Sequence, residues 1–317
     1  MEESLVAIRT IGGFVVQIEV QRADAARATE ARGALKVALI GHGIQLSRTP
    51  AMHRKEGEAL GLSYDYDLRD TALAASDPTV DQLLKAAEAD GLRGVNITHP
   101  FKQAALEHLD HLSDAAKAVQ AVNTVVFRNG KRLGHNTDYW GFTEAFRQGL
   151  PNASLSSVVL LGAGGAGGAV AHALSDLGVA TLHIHDVSAD RAHTLAEALR
   201  ARGQTAAIVN DLAATVDRAN GIVNATPVGM AAHPGAPIPV DLLKHEHWVA
   251  DIIYFPLETA LLAAARARGC CTLDGSGMAV FQAVRAFELF TGIAPDPARM
   301  RATFDAFTPP PAGLPGT

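Results

Sequence analysis

Val158-Val159-Leu160-Leu161-Gly162-Ala163-Gly164-Gly165-Ala166-Gly167-Gly168 leads from four apolar residues through a glycine turn into an alanine-rich stretch that runs to Leu177. A short apolar run bounded by glycine reads as a buried strand, and the stretch after it as a helix. Gly162, Gly164 and Gly167 stand at the spacing of a dinucleotide-binding turn. The first permits the tight turn, the second lets the backbone approach a pyrophosphate, and the third lets helix pack close on strand. Gly165 and Ala166 complete the turn at the helix N-terminus, where backbone N–H groups hold an anion without any basic side chain. Nucleotide binding is the expectation.

The next strand, 181–185, ends on His183-Ile184-His185-Asp186. Asp186 lies about 20 residues beyond the turn, where an acid accepts from the adenosine ribose hydroxyls. A carboxylate there repels a 2′-phosphate, so the expected cofactor is NAD rather than NADP. Arg191, five residues on, joins the candidate cofactor contacts, and no basic residue adjoins Asp186. Asp186 also suits a plainer role, as a cap for the helix that begins near Asp190. Strands at 206–209, 221–224 and 248–253 and helices at 191–202 and 275–291 continue the alternation of a Rossmann-type unit.

The same alternation occupies the first half. Strands are expected at 37–40, 64–68, 94–98 and 123–127, and helices after Pro50, at 80–89 and at 102–112, with a turn at Asn129-Gly130. Strand then helix, repeated, predicts a mostly parallel sheet. A chain of 317 residues is long for one core, so two domains are expected. With 33 acids against 27 bases, nucleic acid is an unsuited partner, because phosphate binding draws on clustered Lys and Arg. No apolar run reaches the roughly 18 to 20 residues of a membrane span. The start lacks the basic opening of a signal peptide, and Cys270 and Cys271, adjacent at an expected strand start, give no disulfide scaffold. A cytoplasmic enzyme is expected. Residues 1–35 read as strands within 5–20 and a helix at 21–32 with no chemical motif. They are either a packing extension or the product of an upstream start codon. Residues 307–317, rich in proline, read as a flexible tail.

Three groups in the first half carry candidate chemistry. Ser47-Arg48-Thr49-Pro50 sets two hydroxyls at a helix start, suited either to a carboxylate or to plain capping. Lys102 opens the expected helix at 102–112, where the helix dipole disfavours a cation and lowers its pKa in the direction a general base needs. Asp138, within Gly134-His135-Asn136-Thr137-Asp138, either orients such a lysine or caps the following helix. The 13 histidines show no metal spacing. His108 and His111 read as a solvated helix face, and no metal is expected.

These segments together resemble the shikimate dehydrogenase family over residues 36–306. The resemblance rests on Ser47-Arg48-Thr49-Pro50-Ala51-Met52-His53, Val95-Asn96-Ile97-Thr98-His99-Pro100-Phe101-Lys102, Ala121-Val122-Asn123-Thr124, Gly134 to Asp138 and the glycine turn. It continues through Asn224-Ala225-Thr226-Pro227-Val228-Gly229-Met230, Asp251-Ile252-Ile253-Tyr254-Phe255-Pro256 and Asp274-Gly275-Ser276-Gly277-Met278 to Gln282. It implies an α/β protein of two domains with the active site in the cleft between them. Residues 36–140 and 275–306 would form the substrate domain, with a mostly parallel sheet, and 141–274 the NAD-binding domain. By the same resemblance Lys102 and Asp138 are the catalytic pair. Ser47 and Thr49 with Tyr254 would hold a substrate carboxylate, and Asn96, Thr98, Asn123 and Gln282 the ring hydroxyls. Gly275 and Met278 would border the nicotinamide, and Thr226 and Pro227 the adenosine side.

Two departures refine the expectation. His185-Asp186-Val187 stands where biosynthetic members carry Asn-Arg-Thr, the basic triplet that clamps a 2′-phosphate. Thr49 replaces the usual second serine, as in the NAD-dependent quinate/shikimate dehydrogenases. The implied reaction interconverts quinate with 3-dehydroquinate and shikimate with 3-dehydroshikimate, in a monomer or homodimer. The alternatives are an NADP-dependent biosynthetic shikimate dehydrogenase and a non-enzymatic nucleotide-binding regulator.

Overall fold

The computed structural model describes residues 34–307. The expected strands within 5–20, the helix at 21–32 and the tail from 308 lie outside the described residues.

The first sheet contains β1 (Leu35–Gly41), β2 (Tyr64–Asp70), β3 (Gly94–Ile97), β4 (His111–Leu112), β5 (Thr124–Arg128) and β6 (Lys131–His135), in the order β2-β1-β3-β5-β6-β4. β5 runs antiparallel to both neighbours, and the remaining pairs are parallel. Asn129 and Gly130, with φ of 53° and 68°, form the two-residue turn between β5 and β6. Four α-helices attend this sheet: α1 (Thr49–Ala59), α2 (Val80–Ala89), α3 (Asp114–Val119) and α4 (Thr137–Gly149).

The second sheet is wholly parallel. It holds β7 (Ser157–Leu161), β8 (Thr181–His185), β9 (Thr205–Ile208), β10 (Gly221–Asn224), β11 (Trp248–Asp251) and β12 (Cys271–Leu273), in the order β12-β11-β10-β7-β8-β9. Helices α5 (Gly165–Asp176), α6 (Ala189–Ala201), α7 (Leu212–Arg218) and α8 (Ala260–Ala267) connect its strands. α9 (Ser276–Thr291) and α10 (Pro297–Asp305) then return to the first half. Continuous apolar strands such as β7 are buried because helices cover both faces of a parallel sheet.

α4 joins the two halves. Asp138 lies in its first turn, while Phe142 and Phe146 pack with Val158, Leu160, Leu174 and Trp248 in the core of the second half. The boundary expected at 140/141 therefore falls inside one helix. α9 lies against α4 at Gly141, where a Cβ would stand 2.7 Å from the Met278 carbonyl and 2.8 Å from the Gln282 nitrogen. No side chain fits there, and the two backbones meet.

One element differs from expectation. Residues 102–112 do not form an α-helix. They make a 3₁₀ turn over Ala104–His108 and then β4. The Lys102 carbonyl accepts from Val122 N at 2.9 Å, outside any helical ladder, and β4 pairs with β6. Sheet pairing overrides the local preference. His108 and His111 accordingly share no helix face, and no α-helix dipole acts on Lys102. The helices α3, α7, α8 and α10 went unanticipated.

α10 is strapped to α1 by one ion pair. Glu56, fully buried, accepts from Arg299 Nε at 2.7 Å, from its Nη2 at 2.8 Å and from Asp296 N at 2.8 Å. The Arg299 side chain remains 40% exposed. Arg299→Ala would leave a buried carboxylate without its cation, and is expected to cost about 2 to 4 kcal/mol, tempered by that exposure. Urea unfolding at constant m-value checks it, and a shift below about 0.5 kcal/mol would show that the strap is not stabilising.

Candidate active site

Six candidate positions leave the same kind of edge. Ser47, Thr98, Gly162, Asp186, Thr226 and Tyr254 follow the carboxyl ends of β1, β3, β7, β8, β10 and β11. Ligands of open parallel sheets bind at that edge, where loops diverge.

Lys102 Nζ donates to Asp138 Oδ2 at 2.6 Å, and their side chains are 21% and 11% exposed. Asp138 does not cap its helix. Asn136 does, its Oδ1 accepting from Tyr139 N at 3.1 Å. That leaves Asp138 in the first turn of α4, where the helix N-terminus favours a carboxylate. Lys102 comes from the turn that follows cis-Pro100 after β3. Tyr254 is 43% exposed in area, yet enough protein surrounds its hydroxyl to push the phenol above its ordinary pKa. Lys102 opposes that shift, Asp138 adds to it, and Arg48 opposes it. Tyr254 thus lies within electrostatic reach of both the Lys102–Asp138 pair and the Ser47-Arg48-Thr49 segment.

Neither hydroxyl of that segment caps α1. Arg48 is the N-cap residue and makes no side-chain capping bond. Ser47 Oγ accepts only a long contact from Thr49 N, at 3.4 Å. Gln282 Nε2, on α9, lies 3.5 Å from Thr49 Oγ1 and donates to Ala279 O at 2.9 Å. The Arg48 guanidinium donates to Phe304 O at 3.2 Å and lies over the Phe304 ring, 4.4 Å from its centre.

The two amides sit in a buried polar wall. Asn96 accepts from the Tyr66 hydroxyl at 2.7 Å and donates to Thr124 Oγ1 at 2.9 Å and to Asn123 O at 3.3 Å. Asn123 accepts from Thr137 N at 2.7 Å, and its amide lies 2.9 Å from Thr137 Oγ1. Tyr66, Thr124 and Thr137 escaped the sequence reading. Thr124 and Thr137 each follow an asparagine inside a recognised motif, which was the available signal. Thr98 joins the sheet through its N–H to Ile40 O at 2.9 Å.

The glycine turn has the geometry its three roles require. Gly162 has φ +98°, and a Cβ there would stand 2.8 Å from Ala225 O. A Cβ on Gly167 would stand 2.1 Å from Gly162 O. On Gly164 or Gly165 it would meet nothing within 4 Å. Gly164 is the N-cap of α5 and offers no side-chain cap to the first-turn N–H groups, which include that of Ala166. The turn is therefore open at Gly164 and Gly165, beside first-turn N–H groups that no side chain caps, the kind of helix start that suits an anion.

Asp186 has a cation beside it that the sequence order does not show. Its side chain is only 6% exposed and is not isolated. Arg191 turns back from α6 and donates to Oδ1 through Nη2 at 2.8 Å and Nε at 3.2 Å. Ala163 N donates at 2.7 Å and Ser188 N at 2.8 Å. Burial raises the Asp186 pKa, but the bonds from Arg191, Ala163 and Ser188 outweigh it and hold the carboxyl below its usual range. The helix cap is Ser188. No base adjoins Asp186 in sequence, yet Arg191 reaches it, because a residue in the first turn of a helix lies close to the residues before its cap.

Thr226 donates to Asn224 Oδ1 at 2.7 Å and leads into Pro227 beside the glycine turn, whose Gly162 packs against Ala225. Gly275 is the N-cap of α9, so close to Ile252 and Ile253 that a Cβ would stand 2.4 Å from either carbonyl. Met278 is 8% exposed and belongs to the core around Phe142. Among the described residues no group of three metal-ligating side chains occurs, and no helix is long and apolar enough to cross a membrane.

An open glycine turn after β7 and a lysine held by a carboxylate at the ligand edge of the first sheet suit a nucleotide-dependent oxidoreductase. Residues 39–125 match the shikimate dehydrogenase substrate binding domain, 144–231 the shikimate / quinate 5-dehydrogenase model and 275–303 the shikimate 5′-dehydrogenase C-terminal domain. The chain is 52% identical over 272 residues to a quinate/shikimate dehydrogenase (NAD(+)) of Corynebacterium glutamicum, covering 84% of this chain and 96% of the relative. It is 53% identical over 271 residues to a shikimate dehydrogenase (NADP(+)) of Streptomyces avermitilis, covering 84% and 93%. A solved quinate dehydrogenase from Corynebacterium glutamicum in complex with NAD superposes with a TM-score of 0.83 at 49% identity, covering 86% of this chain and 99% of that one. The chain belongs to the shikimate/quinate dehydrogenase family, and it is an oxidoreductase with a Rossmann-type NAD(P)-binding unit.

The turn separates packing from binding. Gly167→Ala forces a carbon onto backbone and is expected to destabilise by about 1 to 3 kcal/mol. Gly164→Ala should fold with an unchanged Tm yet bind NAD at least about tenfold more weakly, some 1.4 kcal/mol. Thermal unfolding and calorimetric titration check the pair. Tight NAD binding by Gly164→Ala would contradict the open-face reading.

Proposed function

We propose that this enzyme oxidises quinate and shikimate to their 3-dehydro products with NAD, using Lys102 and Asp138 to move the proton. The 2.6 Å contact between Lys102 Nζ and Asp138 Oδ2 carries this reading. In this reading residues 36–140 and 275–306 form the substrate domain and 141–274 the cofactor domain.

Oxidation of a ring alcohol removes a hydride from carbon and a proton from oxygen. Bound nicotinamide supplies the hydride acceptor. Lys102 Nζ, in its amine form, takes the hydroxyl proton, and Asp138 stabilises the ammonium so formed. In the reverse direction the same ammonium protonates the ketone oxygen. Asp138 also fixes the lysine, so the proton acceptor is in place before the substrate arrives. Ser47, Thr49 and Tyr254 hold the substrate carboxylate. Thr98, Asn96, Asn123 and Gln282 hold ring hydroxyls. Gly275 and Met278 border the nicotinamide, and Gly162 to Gly167 with Thr226 and Pro227 border the pyrophosphate and adenosine.

The preference for NAD rests on Asp186 together with Arg191. Arg191 is one cation already engaged through two nitrogens by Asp186. A 2′-phosphate would face a compensated pair rather than a free guanidinium, and would bring its charge beside a carboxylate. The solved NAD complex of the Corynebacterium relative supports the same reading. NADP use is the second reading. It is favoured by the 55% exposure of the Arg191 side chain, which could swing outward, and by the Streptomyces relative named for NADP.

Lys102→Ala is expected to lower kcat at least roughly 100-fold, the scale of one acid–base group, with the NAD dissociation constant unchanged. Turnover near wild type would remove Lys102 from the reaction. A kinetic grid of quinate and shikimate against NAD and NADP should give the higher kcat/KM with NAD for both acids. A preference for NADP would overturn the role given to Asp186.

A further inference from the structure

Asp251 is a buried carboxylate that the reaction above does not use. It is 2% exposed, ends β11, and pairs in register with Asn224 at the end of β10. Three donors hold it, and none is a cation. Asn224 Nδ2 lies 3.1 Å and Ile253 N 3.0 Å from Oδ1, and Thr259 Oγ1 lies 2.8 Å from Oδ2. Burial pushes the carboxyl above its usual pKa, with those three bonds pulling it back. A carboxylate kept dry at such cost needs every one of its bonds.

Each donor belongs to a different part of the ligand edge. Ile253 N opens the segment that carries Tyr254. Thr259 closes that segment's far end, and its hydroxyl also accepts from Leu262 N at 3.3 Å to cap α8. Asn224 passes the network to the neighbouring loop. Its Oδ1 accepts from Thr226 N at 3.0 Å and Thr226 Oγ1 at 2.7 Å, and its Nδ2 also donates to Val228 O at 3.0 Å. Val228 N in turn donates to Thr226 Oγ1 at 3.1 Å. One carboxylate therefore fastens two loops that leave adjacent strands.

We propose that Asp251 is a positioning residue that sets the Tyr254 loop and the Thr226 loop as one unit, so that the substrate side and the nucleotide side of the site depend on the same carboxylate. This rests on the reading above, in which Tyr254 meets the substrate and Thr226 borders the nucleotide.

Steady-state kinetics of the full chain with shikimate and NAD test it. Asp251→Asn places an amide donor among three donors. The KM for shikimate and the KM for NAD are both expected to rise about fivefold or more, with a smaller fall in kcat, because Lys102 and Asp138 are untouched. Tyr254→Phe should raise the shikimate KM in the wild-type background, yet add less than about twofold in Asp251→Asn, since the tyrosine is already misplaced. A rise confined to one KM, or full additivity of the two substitutions, would overturn the proposal. Should Asp251→Asn fail to fold, Thr259→Val and Thr259→Ser replace it. The valine variant should raise both KM values and the serine variant restore them, and identical behaviour of the two would be equally fatal. Failure of the underlying reading looks different. It is the case in which Tyr254→Phe and Thr226→Val leave both wild-type KM values unchanged.

Discussion

Helix α4 carries Asp138 in its first turn, and a turn later it buries Phe142 and Phe146 in the core of the second half. The position of the Lys102 partner is thereby tied to the packing of the other sheet. α9 reinforces the tie from the opposite direction. It starts beside Ile252 and Ile253, crosses Gly141 at backbone contact and presents Gln282 toward Thr49. The 2.6 Å contact between Lys102 and Asp138 tolerates little displacement, and the acid–base work proposed for the pair requires hydrogen-bond reach. Two helices that share a glycine-wide seam supply that rigidity. Movement of one half against the other would have to bend α4 or slide it along α9.

Charge in the nucleotide half is handled locally. The turn presents backbone N–H groups and no basic side chain, so an anion there would be met by dipoles. Asp186 is satisfied within the protein by Ala163 N, Ser188 N and Arg191. On the proposed reading, a ribose hydroxyl would meet there an acceptor already shared among several donors. Discrimination between a hydroxyl and a phosphate at that place then depends on whether Arg191 stays on Asp186. The chain's modest basic content is consistent with a site that does not rely on clustered cations.

Much of this was legible in the sequence. The parallel strands announced themselves as short apolar runs, and the glycine turn by spacing, because both signals are local. Lys102 and Asp138 stood in motifs that a family resemblance identifies, and the structure joins them. Other features are products of contact between distant segments. The stretch 102–112 has the composition of a helix, but Val122 takes the Lys102 carbonyl and β6 takes His111 and Leu112. Arg191 reached Asp186 by folding back over a helix cap that single-strand logic ignores. The Glu56–Arg299 strap joins positions more than two hundred residues apart, beyond any periodicity.

The polar groups of the substrate side divide by how firmly they are held. Asn96 and Asn123 are buried and locked to Tyr66, Thr124 and Thr137, so their remaining capacity points in fixed directions. Ser47 and Thr49 are held only by contacts of 3.4 and 3.5 Å. A buried amide locked by its neighbours cannot turn to follow a displaced hydroxyl, so it selects for position. A loosely held hydroxyl adapts at small cost. If these groups meet the substrate as proposed, discrimination should be strict at the ring hydroxyls shared by quinate and shikimate. It should be lax near the carboxylate, where quinate carries its additional hydroxyl. Under the proposed assignment, acceptance of both acids by one site would follow from that division, with the firm end choosing the ring and the soft end accommodating the difference.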